Sequence, residues 1–173
     1  MGLDMYLYAR KYVSGVDYGR DSNGHFKMTP NPELDTIVDI VGLSRTDLEP
    51  DMPSAVIGVK VLQWRKANAI HDWFVNNVQS GEDNCKEYYV SREKLEDLLA
   101  TLGEVLSIKN GTHNGDPDIT IEDLLPTTDG FFFGPTEYDD YYWSEVERTY
   151  ETINALLNNS KFEDFDFEYS SSW

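Results

Sequence analysis

From Val61 to Gln79 apolar residues recur at helical spacing, with Trp64, Ala67, His71, Phe74 and Val78 on one stripe. Ile70 and Val75 widen the stripe, Asn68 lies at its edge, and Gln63, Lys66, Asp72, Asn76 and Gln79 take the polar side. This pattern predicts an amphipathic helix of about five turns, stopped by Gly81. Upstream the period is two. Leu3, Met5, Leu7 and Ala9 alternate with Asp4, Tyr6, Tyr8 and Arg10, as in a strand with one face on a core. Ser14 to Pro32, broken by three glycines and two prolines, reads as a long loop. Leu34, Ile37, Val38 and Val41 predict a short helix over Glu33 to Val41, closed by Gly42. Ser44 to Pro53 is polar, and Ala55 to Leu62 is β-branched and apolar enough for a buried strand that runs into the long helix.

Downstream, Ser80 to Lys86 is a polar turn and Glu87 to Val90 a short strand. Ser91 is placed to cap a helix over Arg92 to Leu106 whose inner face is Leu95, Leu98, Leu99, Leu102 and Leu106. Lys109 to Ile119 has the composition of a loop, and Thr120 can cap a single turn through Leu125 before Pro126. Thr127 to Thr136 sets three phenylalanines between glycines and predicts a buried strand whose glycines permit close backbone approach. Thr136 opens a third helix, Glu137 to Asn158, with Tyr142, Val146, Thr149, Ile153 and Leu156 inward. Phe165, Phe167 and Tyr169 alternate with acids in a strand over Phe162 to Tyr169. The two terminal strands are expected to be neighbours, which gives an α+β fold: one domain over 1–173, a small mainly antiparallel sheet and about three main helices.

Composition changes this picture at one point, the charge. Hydrophobic residues at 40% and aromatics at 13% are ordinary for a globular chain, but 32 Asp and Glu against 14 Lys and Arg leave a net charge of -18. Phosphates would be repelled, so nucleic acid is excluded as a direct ligand and a basic protein or a cation is the compatible partner. Cys85 is alone and cannot form an internal disulfide, which fits a reducing compartment. No apolar run is long enough for a bilayer, and Met1 to Tyr12 lacks the order of a signal peptide, so a cytoplasmic protein is expected.

Four stretches carry a resemblance: WRKANAIHDWF at Trp64 to Phe74, GLDMYL at Gly2 to Leu7, DNCKEYYVSREKL at Asp83 to Leu95, and GFFFGPTEYDDYY at Gly130 to Tyr142. Together they resemble an uncharacterised family of small proteins found in phage and bacterial genomes. The resemblance brings no assigned activity. It implies a phage or prophage origin, with the cytoplasm of a bacterial host as the place of action. Ser14 to Pro53 and the acidic tail lie outside these stretches.

Two groups of residues bear chemistry. His71 and Asn68 beside Trp64, with Arg65 close by and the aromatics around Phe131, could line a pocket for a planar ligand or nucleotide, making the protein a small-ligand binder or sponge. Equally, His71 is a core residue bonded to a carbonyl or to one of eleven tyrosines. The other group is an acidic array of Glu137, Asp139, Asp140, Glu145, Glu147, Glu151, Asp164, Asp166 and Glu168, with only Arg148 and Lys161 as bases among them. Such an array could imitate nucleic-acid phosphates and occupy a basic groove on a host protein such as a defence nuclease, as in anti-CRISPR or anti-restriction action. A solvated face that maintains solubility is the plainer account.

Enzymatic readings are weaker. Cys85 and His71 could be imagined as nucleophile and base, but Glu82, Asp83 and Glu87 would raise the thiol pKa. Glu137, Asp139 and Asp140 lack the spaced His or Cys of a metal site and suit a helix N-terminus. Gly130 to Gly134 is no phosphate loop, and His25 and His113 read as exposed loop residues. No catalytic residue, metal or cofactor is expected.

Overall fold

The computed structural model describes every residue except Met1 and Phe131. The chain forms two units, one built from the stretch up to Ala9 together with Val59–Trp173, the other from Arg10–Gly58. Strands β1 (Asp4–Ser14) and β4 (Ser54–Arg65) carry the chain between them.

The main sheet is four-stranded and mainly antiparallel, in the order β4, β1, β6 (Asp166–Ser172), β5 (Tyr88–Val90). The terminal strands are neighbours, as expected. β5 and β6 run antiparallel with Tyr88 opposite Tyr169 and Val90 opposite Phe167. Three helices of this unit bury apolar stripes: α2 (Asn68–Asn77), α3 (Arg92–Lys109) and α5 (Asp140–Leu157). Ser91 caps α3, its hydroxyl accepting from Lys94 N at 3.2 Å. On α5 the inward residues are Tyr142, Val146, Thr149, Ile153 and Leu156, the stripe read from sequence. A fourth helix, α4 (Ile121–Leu124), is the single turn expected after Thr120, whose side chain and that of Asp123 bond each other's backbone N–H. The core centres on aromatic rings: Phe74 stacks on Tyr169 with centroids 4.0 Å apart, and Trp64 lies 5.8 Å from Phe74.

The smaller unit holds the hairpin β2 (Val16–Arg20) and β3 (Phe26–Pro30) and helix α1 (Pro32–Ile40). Asn31 caps α1, its side chain accepting from Glu33 N at 2.9 Å. Val13, Leu34 and Val38 are its buried apolar residues, with Ile37, Leu48, Ala55 and Ile57 against them. So small a core is supplemented by hydrogen bonds. The Arg45 guanidinium donates to Asp35 Oδ1 at 2.7 Å, to the Gly15 carbonyl at 2.6 Å and to the Asn31 carbonyl at 2.8 Å. Gly15 in turn donates its N–H to the Pro53 carbonyl at 2.7 Å, and a Cβ at Gly15 would lie 2.4 Å from that oxygen.

Several expectations are corrected. The predicted helix over Val61–Gln79 is two elements, because Val61–Arg65 prolongs β4 and the helix begins only at Asn68. Leu62 and Trp64 point inward while Gln63 and Arg65 face out, a period of two that overlaps the helical spacing. Lys66, with φ 61°, makes the break between strand and helix. Gln79, placed on the polar side, is buried and donates to the Glu82 carbonyl at 2.8 Å. The loop expected over Ser14–Pro32 contains the β2–β3 hairpin. The cap of α5 is Asp139 rather than Thr136, its carboxylate accepting from Tyr142 N at 2.9 Å. Phe162 belongs to a single 3-10 turn, Ser160–Phe162, and the closing strand starts at Asp166.

The strand expected over Thr127–Thr136 is absent among its described residues. Its backbone is committed elsewhere. The carbonyl of Phe132 accepts from Leu3 N at 3.1 Å, and those of Phe133 and Pro135 accept from the Asn68 side chain. Close approach does explain Gly134, where φ is +95° and a Cβ would lie 3.0 Å from Lys66 Cβ.

Candidate functional site

His71 sits in the first turns of α2, on its inward face, and its side chain is buried. Both ring nitrogens have protein partners. Nδ1 lies 2.7 Å from the Tyr169 hydroxyl on β6, and Nε2 lies 3.1 Å from Asp83 Oδ2 in the turn after α2. The other carboxylate oxygen of Asp83 accepts from Trp173 Nε1 at 3.1 Å. Phe133 meets the imidazole edge-on with centroids 5.1 Å apart, and Trp173 meets Phe133 at 6.1 Å.

Burial first, and the Asp83 carboxylate second, push the Tyr169 phenol well above its ordinary range. The Tyr169 hydroxyl and the Asp83 carboxylate occupy the two ring nitrogens of His71, and Trp173 occupies the second oxygen of Asp83. The arrangement joins α2, the turn after it and β6, and it offers no free lone pair on the imidazole for a ligand or a reacting atom.

Asn68 is likewise occupied. Its amide donates to the carbonyls of Phe133 at 3.2 Å and Pro135 at 2.8 Å, and its oxygen accepts from Thr128 N at 3.2 Å. This one side chain clamps both ends of the 127–136 segment onto the start of α2. Trp64, on β4 rather than on the helix, donates from Nε1 to the Thr149 hydroxyl at 2.7 Å inside the core. Arg65 is exposed and lies 3.9 Å from Asp4. Trp64, Asn68 and His71 thus do not converge on a vacant space, and Phe131 lies outside the described residues. The depression beside the starts of α2 and α5, bordered by Lys66, Asn68, Tyr141 and Glu145, encloses about 20 Å³. That is room for a water molecule or so, and far below the several hundred Å³ of a ligand pocket.

The residues of the acidic array differ in their exposure. Glu137, Asp139, Asp140, Glu151, Asp164 and Asp166 are exposed. Glu147 is exposed but engaged by Lys109 Nζ at 2.7 Å, and that ammonium also lies 4.8 Å over the Trp143 ring. Glu145 turns inward instead. Its side chain is only 12% exposed and receives Arg148 Nη2 at 2.6 Å. Glu168 is half-buried, opposite Tyr89 in the β5–β6 ladder. Asp139 spends one oxygen on the helix cap.

Of the remaining polar residues, Cys85 is exposed and His25 sits at the hairpin turn, 3.3 Å from Asp21. His113, expected to be exposed, is half-buried between the Ser107 hydroxyl and the Asp116 carbonyl, each at 3.2 Å. Among the described residues no group of three or more His, Cys, Asp or Glu is disposed to hold a metal ion, and no helix is long and apolar enough to cross a membrane.

Sequence reasoning allowed His71 a tyrosine partner without saying which one, and missed Asp83 and, behind it, Trp173. The signal for Tyr169 was present, since an inward tyrosine on an alternating strand needs a partner for its hydroxyl. Comparison of the chain with protein-family models, with curated proteins and with solved structures finds no match.

Proposed function

We propose that the protein is a non-enzymatic interaction module that binds a basic host protein through the exposed carboxylates of its larger unit. A defence nuclease with a groove for nucleic acid is the target class whose charge fits. One observation carries this reading: the larger unit has 24 acidic and nine basic residues, and its exposed carboxylates outnumber the cations beside them. Such a field steers a cationic surface into contact and holds off nucleic acid itself. The resemblance to a family of phage and bacterial genomes supports the setting. The ligand-pocket alternative has no comparable support, because Trp64, Asn68 and His71 all bond to protein groups.

The working positions are Glu137, Asp140, Glu151, Asp164 and Asp166, which are exposed and serve no cap. The test is a charge-reversed protein, Glu137→Lys, Asp140→Lys, Glu151→Lys. Glu145 is left alone because its pairing with Arg148 belongs to the fold. Wild-type protein should retain a basic protein from a bacterial lysate at low salt and release it at high salt. The reversed variant, with an unchanged circular dichroism spectrum, should retain none. Equal retention by both proteins overturns the proposal.

A further inference from the structure

Asparagine followed by glycine is chemically labile, because a glycine nitrogen, with no Cβ beside it, can approach and attack the asparagine side-chain carbonyl. The chain has three such pairs, Asn23-Gly24, Asn110-Gly111 and Asn114-Gly115, and all three asparagines are exposed. The fold treats them differently. At the hairpin turn Gly24 donates its N–H to the Asp21 carbonyl at 3.0 Å, and Asn23 donates its own to Asp21 Oδ1 at 2.8 Å. At the end of α3, Gly111 donates to the Ile108 carbonyl at 3.1 Å and Thr112 to the Ser107 carbonyl at 2.9 Å. No described residue accepts from Gly115 N. The loop around it is anchored only at its flanks. His113 Nδ1 lies 3.2 Å from Ser107 Oγ and its Nε2 lies 3.2 Å from the Asp116 carbonyl, which also accepts from Ile119 N at 3.2 Å. The same imidazole leaves no room for a side chain at 115, where a Cβ would lie 2.7 Å from His113 Cε1.

We infer that Asn114 is the site at which the folded chain deamidates. The Gly115 nitrogen gives up its proton to water and bonds to Asn114 Cγ. The bond from Cγ to the side-chain nitrogen breaks, and that nitrogen leaves as ammonia with a proton taken from water. A second water then opens the cyclic imide at one carbonyl or the other, giving aspartate or isoaspartate. At Gly24 and Gly111 the attacking N–H must first leave the carbonyl it is bonded to, which slows the step roughly fivefold. The product changes the loop in two ways. Either outcome places a new carboxylate near Asp116 and Asp118 in sequence. Isoaspartate also adds a backbone methylene inside the closure that His113 Nε2 makes with the Asp116 carbonyl, and so loosens the contact of this loop with Ser107 on α3. The reaction needs no partner, so it stands whether or not the acidic surface binds one.

The chain, kept folded in warm, mildly alkaline buffer and digested at intervals under mildly acidic conditions, tests this by mass spectrometry. Fragment masses resolve acid from amide at each of the three asparagines. Asn114 should convert roughly fivefold faster than Asn23 or Asn110. In chain unfolded by urea the three rates should converge, since the turn hydrogen bonds are gone. The variant Asn114→Ala, at an exposed position, should lose the fast conversion and leave the other two rates unchanged. Equal rates in the folded chain overturn the inference, as does an Asn114 that survives in the folded chain while it converts in the unfolded one. A lead for Asn114 that persists undiminished in urea overturns it too, because neighbouring sequence rather than the fold would then set the rate.

Discussion

The larger unit buries its rings and exposes its carboxylates, whereas Arg10–Gly58 does nearly the reverse. Of the fourteen large apolar residues exposed among the described residues, nine lie between Arg10 and Gly58. In the larger unit Trp64, Phe74 and Tyr169 pack against one another, and two long helices supply a continuous apolar layer. The smaller unit, with only Val13, Leu34 and Val38 fully inside, leans on one guanidinium and one glycine. The contrast shows how a fold is held when its core is too small: polar contacts with demanding geometry replace apolar area. It also separates two kinds of surface, one suited to attraction at a distance and one to contact.

Four changes probe that contrast. The largest effect is expected for Phe74→Ala, which removes a ring with no exposed surface from the middle of the aromatic cluster. It should destabilise the larger unit by about 3–5 kcal/mol, read as a shift of the urea midpoint. A loss near that of a surface substitution would remove the cluster from its central role. Next, Arg45→Ala leaves the carbonyls of Gly15 and Asn31 and the Asp35 carboxylate without their shared donor. A loss of about 2 kcal/mol is expected, and hydrogen exchange should show it within Arg10–Gly58 while amides of α3 and α5 stay protected.

The third is alkaline. The Tyr169 and Tyr142 phenols are both pushed above the ordinary value of 10.0, in each case chiefly by burial. The unfolded chain therefore releases these protons first. Stability is full below about pH 10 and declines as the pH climbs further, by about 1 kcal/mol or more over the first unit or two. Urea midpoints measured across that range should fall for the wild type and fall less for Tyr142→Phe, which keeps the ring but has no proton to lose. A flat profile would contradict the burial of both phenols. Smallest is the charge-reversed variant Glu137→Lys, Asp140→Lys, Glu151→Lys, expected within about 1 kcal/mol of the wild type, most of it from a cation at Asp140 in the first turn of α5. A larger loss would show that these carboxylates support the fold.

Much of this architecture was legible from residue spacing. The inner stripe of α5 and the adjacency of β1 and β6 match their periodicities, while on α3 Leu95, Leu98 and Leu102 are buried as read but Val105 is the fourth buried residue and Leu99 and Leu106 are half-buried. Where two periods overlap, spacing misleads. Trp64 and Asn68 are four apart and read as one helical face, yet the chain turns between them at Lys66, a residue with no sequence mark of a left-handed backbone. The hairpin was findable, because Asn23-Gly24 between short alternating runs is a strong turn signal. At the site, Trp64, Asn68 and His71 bond to protein groups and Arg65 is exposed beside Asp4. His71 could be singled out, but its partners lie 12 and 98 residues away, and no local pattern encodes such a meeting. The clamp made by Asn68 was hidden for a different reason: it serves backbone carbonyls, which every residue has.

The place of β1 in the sheet has a bearing on how the protein is made. One edge of β1 pairs with β4, while the other waits for β6, which begins at Asp166. A nascent chain halted before that point would carry a central strand with an open edge, a ready template for joining another chain. Arg10–Gly58, by contrast, is one contiguous stretch and can close on itself as soon as it emerges. The smaller unit is thus complete in the emerging chain before the larger one, and the open edge of β1 is the surface exposed in between.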